Sequence, residues 1–160
     1  MKMLMIKAVA FALILFLAAG TVSLVRASDG WETNLTITVA GAENKLSFGL
    51  QADATDAIDG QYDVPPMLGG SITSYFSDGG GLLWRDIRAL STGAKSWKLH
   101  IESPLNDKYV YLTWDPTMFP DGARVTLKDP TSGFSVNMTD RNLFAFKNVG
   151  PKDLEIIVQH

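Results

Sequence analysis

Apolar and polar residues alternate along most of this chain, and that period of two constrains its fold more than any other feature. Leu35, Ile37 and Val39 interleave with Thr36 and Thr38, Leu46, Phe48 and Leu50 repeat the pattern, and Trp97, Leu99 and Ile101 alternate with Lys98, His100 and Glu102. Successive side chains of a strand point to opposite faces, so these segments read as half-buried strands; the helical repeat of about 3.6 residues is nearly absent. Val110, Leu112 and Trp114 continue the pattern, followed by Val125 and Leu127, then Phe134, Val136 and Met138, then Phe144 and Phe146, and finally Ile156 and Val158. Asp121-Gly122 and Asp129-Pro130-Thr131-Ser132-Gly133 read as hairpin-type connections, and Asn148-Val149-Gly150-Pro151 breaks the chain before its last strand. Many short strands separated by regular turns predict an all-β sandwich or barrel. The expected interior is Leu35, Ile37, Phe48, Leu99, Ile101, Leu112, Trp114, Val125, Leu127, Val136, Phe146, Ile156 and Val158.

Between Gln51 and Gly81 the alternation fails. Gly60, Pro65, Pro66, Gly69, Gly70, Gly79, Gly80 and Gly81 gather there, only Ile72 to Phe76 reads as a short strand, and no basic residue occurs between Lys45 and Arg85. This is one long irregular loop region rich in Asp, Gly and Pro.

The N-terminus reads differently. Lys2 and Lys7 precede an apolar run from Ala8 to Ala19, and small residues at Val25 and Ala27 frame a cleavage site. That is the pattern of a secretory signal peptide over residues 1–27; its core is shorter than the roughly 20 residues that span a bilayer, so no stable transmembrane anchor is expected after cleavage. Residues 28–160 are then a single domain, large enough to form its own core without disulfides, and the chain has no cysteine. Losing Lys2, Lys7 and Arg26 takes the formal charge from −3 to −6. An acidic surface with no basic stripe repels phosphate backbones, so no nucleic acid is expected as partner.

Catalytic chemistry has little to draw on. His100 sits on the polar side of its strand, His160 ends the chain, and no nucleophile elbow, zinc-protease helix, phosphate loop or dinucleotide fingerprint occurs. The expectation is a non-catalytic protein. Two groups remain as candidate sites. Asp53, Asp56, Asp59 and Asp63 carry enough oxygen to hold a calcium ion, although the spacing is not that of an EF-hand; the same residues could instead make Asx-turns, with Arg85 or Arg88 neutralising one of them. Tyr109 and Tyr111 fall on the face opposite Val110, Leu112 and Trp114, where they could stack on sugar rings or anchor a protein partner.

The string Ala54-Thr55-Asp56-Ala57-Ile58-Asp59-Gly60-Gln61-Tyr62-Asp63-Val64-Pro65-Pro66 follows a strand ending Phe48-Gly49-Leu50 and precedes Trp84-Arg85-Asp86-Ile87-Arg88 and Lys95-Ser96-Trp97. In this it resembles a family of small immunoglobulin-like β-sandwich modules found in exported and cell-surface proteins of delta-proteobacteria and related phyla, similar to extracellular sorting modules. The likeness covers about residues 31–158. It departs at Ala57 and Ile58, where family members usually carry glycine and then an aromatic residue, which implies a different backbone at that turn and weakens the inference of a shared ion site. The resemblance implies an immunoglobulin-like sandwich of about 7–9 strands with a scaffold or attachment role, exported to the periplasm, surface or surroundings of a Gram-negative bacterium. The expected function is an accessory or interaction subunit of a cell-surface or extracellular assembly, bound to another exported protein or to itself. The alternative is a calcium-dependent carbohydrate-binding module whose partner is a polysaccharide.

Overall fold

The computed structural model describes residues 30–77 and 80–159, and the signal peptide expected over residues 1–27 lies outside them. Among the described residues eleven strands form two sheets: β1 (Trp31–Val39), β2 (Ala42–Gln51), β3 (Thr73–Ser77), β4 (Leu82–Leu83), β5 (Arg85–Ala89), β6 (Lys95–Glu102), β7 (Tyr109–Thr113), β8 (Arg124–Lys128), β9 (Ser135–Asn137), β10 (Leu143–Lys147) and β11 (Lys152–Gln159). One sheet has the order β10-β7-β1-β2-β5, the other β4-β3-β6-β11-β8-β9. The fold is a β-sandwich. The strands beyond the expected range of 7–9 are the two-residue β4 and the charged β5, whose Arg-Asp-Ile-Arg sequence hides it from a hydrophobic pattern.

Pairing is antiparallel except between β2 and β5, which run parallel with Phe48 opposite Asp86. β1 and β2 join through Ala40 and Gly41, both at positive φ (47° and 88°). A primed two-residue turn requires that geometry, and its usual signature, Asn-Gly or Asp-Gly, is missing here. Asp121-Gly122 is not a hairpin: it lies on the crossing from β7 in one sheet to β8 in the other, after a short 3₁₀ turn at Pro116–Met118. The β8–β9 hairpin is as expected, with the Asp129 amide donating to the Phe134 carbonyl and Gly133 at positive φ.

The inward residues of both sheets form one core. At its centre Phe48 meets Trp31, Phe76, Trp97 and Phe119, with ring centroids 5.3–6.4 Å apart; the contacts with Trp31 and Phe76 are edge-on, the arrangement that aromatic quadrupoles favour, and the other two are tilted. Eleven of the thirteen expected interior residues are buried; Val136 and Phe146 are only half-buried. Both face inward, but from β9 and β10, edge strands on the same side of the sandwich, where no further strand covers them among the described residues.

Candidate functional site

The four aspartates of the loop do four different things. Asp53 accepts from the Tyr62 phenol, which raises the phenol's pKa. Asp56 holds the Lys95 ammonium at 2.6 and 2.7 Å. Asp59 accepts from the backbone N–H groups of Thr55 (3.1 Å) and Tyr62 (3.0 Å), and the Thr55 contact above all holds its pKa below the ordinary value. Asp63 is buried and accepts from the N–H groups of Asp59 (2.8 Å) and Ile87 (3.0 Å); burial pushes its pKa up. These are the Asx-turn and capping roles open to short acidic side chains in irregular backbone. Arg85 forms a bidentate pair with Glu32 and Arg88 one with Asp86, and among Asp53, Asp56, Asp59 and Asp63 it is Asp56 that meets a cation, Lys95, at salt-bridge distance. Among the described residues no three His, Cys, Asp or Glu side chains converge as a metal cluster.

The loop therefore has a structural task at β5. Val64 bridges to Arg85, the Trp84 amide donates to the Val64 carbonyl, and the Asp63 carboxylate takes the Ile87 N–H. Ile87 shares a cross-strand row with Gly49 and Glu32, which puts its side chain on the outer side of the sheet, yet it is fully buried. An edge strand exposes unpaired backbone groups that invite association, and here the loop closes that edge.

The other end of the same sheet is open among the described residues. β10 pairs with β7 on one side only. The Trp114 amide donates to the Asn142 carbonyl and the Asn148 amide to the Lys108 carbonyl, so residues 142, 144, 146 and 148 direct their backbone groups at β7. In an antiparallel ladder the intervening residues point the other way, so Leu143, Ala145 and Lys147 aim their N–H and C=O groups away from the sheet. Beside this edge, between β10 and β9, lies a groove of about 760 Å³ bordered by Phe134, Val136, Asn137, Arg141, Leu143 and Phe144. Phe134 is 54 % exposed and stacks on Phe144 at 5.7 Å, and Phe146 follows at 5.9 Å from Phe144. None of these residues stood out as a site in the sequence. The signal present was Leu143-Phe144-Ala145-Phe146, four apolar residues where a half-buried strand should alternate.

Tyr109 and Tyr111 stand on the outer face of this sheet, 56 % and 43 % exposed, with ring centroids 6.2 Å apart. His100, on the outer face of the other sheet, stacks on Tyr75 at 4.8 Å; its Nδ1 lies 2.7 Å from Asp153 and its Nε2 3.9 Å from Glu102. The Asp153 hydrogen bond and the Tyr75 stack hold the ring in place, while Glu102 lies beyond hydrogen-bond distance.

The class defined by these features is a two-sheet β-sandwich whose five-stranded sheet has, among the described residues, one sealed edge and one open edge. Comparison with family models, curated proteins and solved structures returned no match.

Proposed function

We propose that this protein is a non-catalytic interaction subunit of an extracellular or cell-surface assembly, and that it binds an extended segment of another exported protein by strand addition to β10. The observation that carries this reading is the asymmetry of one sheet, whose β5 edge is covered by Val64 and Asp63 while its β10 edge is bare beside an aromatic groove. Strand addition draws affinity from main-chain hydrogen bonds and specificity from pockets that take alternate side chains. A segment laid along Leu143, Ala145 and Lys147 would meet their outward N–H and C=O groups, and every second side chain would enter the groove against Phe134 and Phe144. The leader-like N-terminal sequence and the resemblance to exported sandwich modules support a partner outside the inner membrane.

The test is capture by the tagged full-length gene product, recovered after expression in a Gram-negative host from envelope and culture fractions, with bound proteins identified by mass spectrometry. Ala145→Pro removes an outward N–H without touching the β7 ladder, and Phe134→Asp puts a charge into the groove through an exposed position. Each is expected to reduce the captured partner at least tenfold. Equal capture by wild type and both variants would refute strand addition at β10.

A further inference from the structure

The outer face of the five-stranded sheet carries a second arrangement, independent of the β10 edge. Cross-strand register sets Tyr111 beside Thr38, then Thr113 beside Thr36, which in turn faces Lys45. Tyr109, Tyr111 and Thr113 occupy every second position of β7 and so form a line on one face. The line runs into a hollow of about 450 Å³ where β7 ends and β1 continues without it; Asn34, Thr36, Lys45, Thr113, Asp115 and Met118 border it. Thr33 lines the same hollow, 1 % exposed, and its hydroxyl has no hydrogen-bond partner among the described residues.

We infer that this hollow and the tyrosines leading into it form a binding site for a neutral oligosaccharide. Three features fit that ligand class together. First, the hollow presents hydroxyls and an amide, groups that match sugar hydroxyls as both donors and acceptors. Second, it contains one cation, Lys45, and one anion, Asp115, which two hydrogen bonds from Thr117 keep ionised below the ordinary carboxylate range. A ligand of either charge meets one like charge, whereas a neutral polyol hydrogen-bonds to both. Third, Tyr109 and Tyr111 supply two neighbouring aromatic faces, tilted by 34°, outside the hollow. Pyranose rings present C–H groups on their flat faces and pack on such aromatic surfaces, so a chain longer than one residue extends from the hollow over the tyrosines. The cross-strand neighbours Thr38 and Ala145 are short and leave Tyr111 open to such a chain.

Isothermal titration of the purified protein with cellohexaose, xylohexaose, mannohexaose and chitohexaose, with an oligogalacturonate of equal length as the anionic comparison, tests the site. At least one neutral hexaose is expected to bind in the micromolar to millimolar range and tighter than the oligogalacturonate. Tyr111→Ala should weaken it tenfold or more, Tyr111→Phe should retain most of the affinity, and Lys45→Ala should weaken it severalfold. Lys98→Ala, on the outer face of the opposite sheet, should leave it unchanged. No binding by any neutral hexaose at about 1 mM, preference for the oligogalacturonate, or affinity indifferent to both Tyr111→Ala and Lys45→Ala would overturn the assignment.

Discussion

Replacing Asp63 by alanine isolates the loop's grip on β5. The carboxylate accepts from two backbone N–H groups, those of Asp59 and Ile87, and Ile87 is fully buried, so its N–H loses an acceptor where water does not reach. A buried donor left unsatisfied costs about 1–3 kcal/mol. The half-buried Asp59 N–H, which water can partly reach, adds less, and relief of the carboxylate's own burial offsets part of the sum, which gives a net loss of about 1–3 kcal/mol. Asp63→Asn keeps one oxygen for the Ile87 N–H but turns a donor toward the Asp59 amide, so its stability should fall between those of wild type and the alanine variant. Urea denaturation measures the totals, and amide hydrogen exchange at Ile87 reports the local event. The pH dependence adds a sign. Because burial raises the pKa of Asp63 in the folded state, its ionisation opposes folding; this stability is greatest below the unfolded value of 3.8 and is lost as pH rises through the folded pKa. Asp63→Ala should remove that component. A loss below about 0.5 kcal/mol together with unchanged Ile87 exchange would refute the argument that this side chain seals the edge.

Phe48→Ala should be the most damaging single truncation in the core, about 3–5 kcal/mol by chemical denaturation, because it leaves a void among four aromatic rings. Asp129, held well below the carboxylate range by Lys152 and then Ser132, has the opposite linkage to Asp63: its contribution is complete above 3.8 and declines as pH falls below it. Asp129→Asn should therefore flatten the acid side of a stability-versus-pH curve. Adding calcium or chelator should leave the melting temperature unchanged, since a cation at Asp59 or Asp63 would have to displace backbone N–H donors already in place; a rise with calcium that Asp59→Asn abolishes would contradict this.

The fold was legible wherever a strand has one wet face and one dry face. Leu35 to Val39, Trp97 to Ile101 and Ile156 to Val158 show this, and each lies where its pattern places it. β5 was not legible because its inward positions are Asp86 and Arg88, a pair whose charges are satisfied by each other and, for Arg88, by the Ser96 carbonyl and the Trp97 ring at 5.0 Å. Their compatibility with the interior depends on β6, contributed by a later part of the chain. The loop aspartates drew attention because their composition suggested an ion, but hydrogen bonding to backbone amides leaves no composition of its own. The β10 edge was hidden for the converse reason: whether Phe144 and Phe146 are covered depends on a neighbouring strand, and a sequence records residues without recording who stands beside them.

The parallel pairing of β2 with β5 also bears on how the molecule assembles. β1 and β2 meet through a two-residue turn and pair on the time scale of a local hairpin, whereas β5 reaches β2 only after residues 52–84 have passed through the opposite sheet as β3 and β4. Closure of the sheet on this side therefore depends on docking of the two layers, and the Asp53–Asp63 stretch, with four aspartates and no basic residue, favours a solvated state through their mutual repulsion until the Ile87 N–H and Lys95 are in place.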